Sequence, residues 1–160
     1  MKKKKLSKSK PRKIEWRTTF RVSAVGSLVL YSFNYLMRMI DNKFFSFAGI
    51  DDAYPYNLIF NASFFILNFA IVIAVGFFIS GKAKHNKITN GAVGGGLSLA
   101  LFVILNLISI VAFLIYYGKL PLNWIKIMAG FASYSVIYFA IGFLFGAMGA
   151  YTEEKKKQFA

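Results

Sequence analysis

Cysteine is absent from the 160 residues, which removes disulfides, thiolate nucleophiles and thiolate metal sites together. Histidine occurs once, at His85, and only 6 acidic residues stand against 20 Lys and Arg. Proline occurs three times, so little in the chain forbids long helices. The most telling absence is local. From Asn57 to Ser80, Gly91 to Tyr117 and Ile127 to Ala150 there is no charged side chain at all.

These blocks, with a fourth from Val22 to Ile40, each reach the roughly 20 residues that a helix needs to cross a bilayer. A soluble four-helix bundle would carry one polar face on every helix, because half of each helix must meet water. Phe64-Phe65-Ile66-Leu67 and Leu99-Ala100-Leu101-Phe102-Val103-Ile104-Leu105 leave no such face. The expected architecture is all-α: an integral membrane four-helix bundle made of two antiparallel transmembrane hairpins. Its parts are a basic arm at 1–18, a spanning domain at 19–151 and a tail at 152–160, with spans at about 20–40, 57–80, 91–117 and 126–151.

The net charge of +14 invites a nucleic-acid reading, but the placement of the charge decides otherwise. With four spans, all but four of the 20 basic residues lie on one side: the run from Lys2 to Arg21, then Lys82, Lys84, Lys87, and Lys155 to Lys157. Arg38, Lys43, Lys119 and Lys126 fall on or near the other. This asymmetry predicts an N-in, C-in protein of the plasma (inner) membrane, both termini cytoplasmic. Lys2-Lys3-Lys4-Lys5, with no aromatic interleaved, suits anionic lipid at about 1 kcal/mol per basic residue near the surface; no nucleic acid is expected as a partner.

The connection after the first span carries Phe44, Phe45, Phe47, Tyr54 and Tyr56 with Asp41, Asp51 and Asp52, a composition suited to the outer interface. His85 belongs to the opposite side. A base and a carboxylate about 30 Å apart cannot share a proton, so no catalytic residue, cofactor or metal site is expected, and the chain reads as no enzyme. Pumps and ion-coupled carriers place a charged residue near mid-membrane, and spans two to four hold none.

Glycine is the motif-bearing residue. In Thr89-Asn90-Gly91-Ala92-Val93-Gly94-Gly95-Gly96-Leu97-Ser98 the spacing of Gly91 and Gly96 suits a phosphate loop, but Leu97 occupies the lysine position. Gly91 and Gly95 instead stand one turn apart on a helix, and Gly142, Gly146 and Ala150 repeat the device in span four. Side chains removed at that interval let helix backbones approach where lipid offers no hydrophobic drive. Asn34, Asn68, Asn106 and Tyr138 are polar but neutral: either hydrogen bonds between helices or the lining of a polar path.

In arrangement, and over Phe20-Arg21-Val22-Ser23-Ala24-Val25-Gly26-Ser27-Leu28, the chain resembles the GtrA-like family, thought to move lipid-linked sugars. Members usually end spans two and four with an aromatic-Asn-Arg-Trp type sequence; here Phe77-Phe78-Ile79-Ser80-Gly81-Lys82 and Met148-Gly149-Ala150-Tyr151 stand instead, so no residue role carries over. The leading expectation is a structural or accessory subunit that binds other membrane protein subunits or copies of itself. The alternatives are a small transporter or flippase subunit and a holin-like pore former. The chain should stay in the membrane pellet through alkaline carbonate extraction; release into the supernatant would exclude spanning.

Overall fold

The computed structural model describes residues 14–40, 56–116, 118 and 124–158. Within them the chain is helical: α1 Trp16–Ile40, α2 Tyr56–Lys82, α3 Lys87–Tyr116 and α4 Trp124–Gln158. The basic arm before residue 14, the aromatic connection with Asp51 and Asp52, and the side chain of Arg38 lie outside the described part.

Three helices are long and apolar enough to cross a membrane: Ala62–Lys82, Lys87–Tyr116 and Ser133–Lys156, with mean hydropathies of 2.5, 2.8 and 1.5. They are compatible with a multi-pass membrane protein. α1 is not among them. Arg17, Arg21 and Arg38, together with Thr18, Thr19, Ser23, Ser27, Ser32 and Asn34, lower its apolar character over 25 residues. At 1.5 Å per residue, the 35 residues of α4 extend to about 52 Å, well beyond the roughly 30 Å of a hydrocarbon core. Its helix therefore continues without a break through the charged Glu153–Lys156, where a separate tail from residue 152 was expected.

The turns have local causes. Between α2 and α3 the chain reverses over four residues and ends at Asn86, whose φ of 47° is a left-handed value that Asn tolerates better than most residues. Asn86 O then accepts from Asn90 N at 2.9 Å, opening α3. At the other end of α3, Gly118 takes φ 63° and donates to Ile115 O at 3.1 Å, satisfying a carbonyl that the helix leaves open.

Helices consecutive in the chain run antiparallel, so the α1–α3 and α2–α4 contacts join parallel helices. α2 and α3 form the central pair, touching each other and both outer helices, while α1 and α4 share no contact among the described residues. Glu15, the α2–α3 turn and Glu153 all lie at one end, since Glu15 bonds Lys84 and His85 and the Glu153 side chain packs beside Gly81. We refer to this as the basic end.

The tightest packing lies between α4 and the central pair. A Cβ at Gly95 would stand 2.7 Å from Gly146 Cα, one at Gly142 would stand 2.9 Å from Gly95 C, and one at Gly76 would stand 2.7 Å from Gly146 Cα. Gly149 faces α2, where a Cβ would lie 2.8 Å from Ile73 C and 2.9 Å from Phe77 N. Those atoms are backbone, which cannot yield as a flexible side chain can. Above this junction Leu30, Val72 and Leu99 form the buried core, flanked by Ile71, Phe102, Tyr138, Ile141 and Phe145. Phe69 and Phe145 stack with centroids 4.4 Å apart and close α2 on α4.

The outside is apolar. Only 17% of the most apolar window of α3 is buried, and Ile66, Phe78, Ile108, Ile115, Val136 and Leu144 all face outward. So do Phe20, Val25, Leu28 and Leu36 on α1. Patches of that extent are unstable in water and at home in hydrocarbon.

Gly146→Leu should force α4 off both central helices and lower the melting temperature in mild detergent sharply, since overpacking against yielding side chains already costs about 1–3 kcal/mol. Gly130→Leu, with nothing within 4 Å of its Cβ position, is the matched control and should change little. Equal melting temperatures for the two variants would remove the glycine junction as the determinant of packing.

Candidate functional site

Three successive glycines in α3 serve three different contacts. Gly95 and, one turn earlier, Gly91 meet α4, where Gly142, Gly146 and Ala150 stand. Gly96 lies under the Phe139 ring, with a Cβ position 2.9 Å from Phe139 Cε2. Gly94 faces α1 and α2, its Cβ position 3.4 Å from Ser23 Oγ and 3.4 Å from Ile79 Cγ1. The five small residues singled out from the sequence are thus gathered at one contact. Gly76 and Gly149, which complete it through α2, were not singled out. Their signal was present: Gly76 and Ser80 stand four apart, and Ser80 Oγ donates to Ala150 O at 3.3 Å.

α1 is held to α3 by a polar seam that the glycine pattern did not announce. Ser23 Oγ reaches both Thr19 O at 2.7 Å and Gly94 O at 2.9 Å. Ser98 Oγ reaches Gly94 O at 2.9 Å and Ser23 O at 3.3 Å. The seam ends at Asn90, a fully buried side chain. Asn90 Oδ1 accepts from Glu15 N at 2.8 Å and Thr19 Oγ1 at 3.1 Å, while its Nδ2 donates to His85 O at 2.8 Å and Asn86 O at 3.1 Å. Glu15 closes the latch, its Oε1 accepting from Lys84 N at 2.8 Å and His85 N at 3.0 Å. The sequence signal was a second four-residue stripe, Asn90, Gly94 and Ser98, interleaved with Gly91 and Gly95 and matched by Thr19 and Ser23 on α1.

Beyond the latch, an open groove of about 600 Å³ is lined by Lys84, His85, Asn86, Lys87, Ile88, Thr89 and Glu154. His85 is an exposed turn residue there.

Toward the opposite end, the polar residues separate into two roles. Asn34 Nδ2 donates to Leu30 O at 2.8 Å and to Asn68 Oδ1 at 2.9 Å; Asn68 Nδ2 in turn donates to Phe64 O at 2.9 Å. That pair ties α1 to α2 beside the stacked Phe33 and Phe64 rings, whose centroids are 6.0 Å apart. Asn106 makes its described bond within its own helix, Nδ2 to Phe102 O at 2.9 Å. Tyr138 packs against the Leu30, Val72 and Leu99 core. The structure therefore does not bring the four into one lining.

What it does form is a recess of about 320 Å³ between α1 and α3, lined by Tyr31, Asn34, Tyr35, Asn106 and Ser109 with Ile110, Phe113 and Leu114. Tyr31 and Ser109 span its floor, OH to Oγ at 2.6 Å, and neither figured in the sequence reading. Toward the basic end the α1–α3 contact includes the buried Ser27 and Leu30 on α1 and Leu99 and Val103 on α3, none of which lines the recess. The recess holds no charged side chain among its lining residues. No group of three or more metal-ligating side chains occurs among the described residues.

The chain matches no family model, no curated protein and no solved structure. The likeness of Phe20–Leu28 to a GtrA-like opening helix therefore carries no activity across.

Asn90→Leu should cost about twice the stability that Asn68→Leu does. Side-chain hydrogen bonds between membrane helices average about 0.6 kcal/mol each, and Asn90 makes four bonds, two of them to Glu15 and Thr19, where Asn68 makes two, one of them to α1. Backbone amide exchange at Lys84 and His85 should quicken in the Asn90 variant alone; unchanged protection there would sever the latch from the stability of this end.

Proposed function

We propose that this chain is a four-span protein of the plasma (inner) membrane with both termini cytoplasmic, and that it acts without catalysis as a structural or accessory subunit of a larger membrane complex. The topology rests on the basic end. Glu15 bound to the α2–α3 turn, with Glu153 beside Gly81, gathers Arg17, Arg21, Lys82, Lys84, Lys87, Lys155 and Lys156 at one end of the bundle. Such a cluster faces the cytoplasm by the positive-inside tendency and lies at anionic headgroups. α1 completes the set of spans: its polar stripe is turned inward on α3, while Phe20, Val25, Leu28 and Leu36 are left for lipid.

The single observation that carries the accessory reading is the belt of outward apolar side chains around a backbone-to-backbone core. The interior joints are fixed by glycine contacts with no side chain left to slide, so the surface available for work is the outer one. Partner subunits or a second copy of the chain would meet it there. A transporter or flippase subunit and a holin-like pore remain the competing classes, and the recess is what a transport reading would build on.

Two experiments test this. Because the chain has no native cysteine, single Cys residues at Lys4, His85, Lys119 and Gln158 report sidedness directly. Lys4→Cys, His85→Cys and Gln158→Cys should react with an impermeant maleimide only from the cytoplasmic side, and Lys119→Cys only from outside; any other pattern overturns the topology. A pull-down of the tagged chain in gentle detergent, read by mass spectrometry, should recover a larger membrane protein at stoichiometric yield. Recovery of the chain alone would move the reading to transport or, with killing on overexpression, to pore formation.

A further inference from the structure

The recess between α1 and α3 presents more hydrogen-bond acceptors than donors, the exposed Tyr35 hydroxyl being the donor left unspent in its described lining. Asn34 is only 6% exposed, and both protons of its Nδ2 are used, on Leu30 O and Asn68 Oδ1. Asn34 Oδ1 and Asn106 Oδ1 accept no hydrogen bond among the described residues. Ser109 gives its proton to Leu105 O at 2.9 Å, so in the 2.6 Å pair it is Tyr31 that donates and Ser109 that accepts. The Tyr31 oxygen keeps its lone pairs and the Ser109 proton is spent. These acceptors open on the recess and are not sealed in the core, and away from water an acceptor left unmade is costly, so this place favours an occupant that brings donors.

We propose that the recess binds a neutral lipid whose headgroup carries hydroxyls. Two carboxamide oxygens and a phenol oxygen call for O–H donors. Among its described residues the lining holds no acidic side chain to balance an amine, which disfavours a cationic headgroup in a site of low dielectric. Nor do the described residues include a basic side chain, and a phosphate brings mainly acceptors. The apolar wall of Ile110, Phe113 and Leu114 leads outward, with Ile110 38% and Phe113 60% exposed, so an acyl chain can lie along α3 while the headgroup enters between the helices. At about 320 Å³ the recess is at the small end of the roughly 300–1,000 Å³ of ligand pockets, suited to a headgroup of glycerol size with the first carbons of its chain. The binding goes beyond the accessory role and needs no partner subunit.

The test uses the full chain in a non-ionic detergent, titrated in native mass spectrometry with glycerol monooleate, methyl oleate and 1-oleoyl lysophosphatidate. Glycerol monooleate should be retained at one molecule per chain, about fivefold better than either of the others, as expected for one or more added hydrogen bonds. Asn106→Leu removes an acceptor whose described bond is confined to its own helix, and Ile110→Trp fills the wall from an accessible position. Each should cut glyceride retention about fivefold while leaving the melting temperature within error. Equal retention of the three lipids, or preference for the phosphate, would overturn the proposal. So would glyceride retention that neither variant lowers, which is ordinary annular lipid. Loss in Ile110→Trp alone would place the lipid there but remove the acceptor role, and the headgroup assignment would fall with it.

Discussion

The structure depends on one contact: α4 lying backbone to backbone on α2 and α3. In water such helices would be pressed together by the hydrophobic effect, but among apolar side chains that already suit hydrocarbon there is no such drive. Attraction then comes from van der Waals contact, which falls off steeply with distance, so the helices gain by removing side chains at the crossing. Gly76, Gly91, Gly95, Gly142, Gly146 and Gly149 remove them on all three helices at the same level. Phe69 stacked on Phe145 and the Leu30, Val72 and Leu99 cluster fill the space that widens above.

α1 joins by different means. Its contact with α3 uses the Ser23 and Ser98 hydroxyls on backbone carbonyls and the Thr19 hydroxyl on Asn90 Oδ1, with Gly94 allowing the approach. The same polar residues that make this seam lower the apolar character of α1 below that of its neighbours. Buried against α3, however, their hydroxyls are satisfied and do not meet lipid, which is why a helix of moderate hydropathy can belong to the bundle. Asn90 and Glu15 then close the basic end by binding the backbone of the α2–α3 turn, so the entry to α1 and the turn form one joint.

The seam is tight near the latch and opens where Tyr31 and Ser109 replace the small residues. A larger side chain at that level holds the two helices apart, and the recess is the space that results. Asn34 sits at its edge with a divided role, its amide group spent on α2 and its own helix and its oxygen left over.

Much of this was legible in the sequence. Charge-free blocks identify the three long apolar helices, because a helix that had to meet water would carry a polar face. The pairs Gly91/Gly95 and Gly142/Gly146 identify a close contact, because four-residue spacing puts them on one helix face. What the sequence could not assign is which face meets which helix: Gly94, Gly95 and Gly96 are indistinguishable until α1, α2 and α4 take their places around α3. Gly76 was hidden because its partners lie on two other helices, and Asn34, Asn68 and Asn106 look alike until packing gives two of them to each other and leaves the third facing a recess. Local composition determined which stretches are apolar helices, since each residue's preference for an apolar surrounding or water is its own; only the tertiary structure decided contact partners and cavities, since those are properties of surfaces brought together from distant parts of the chain.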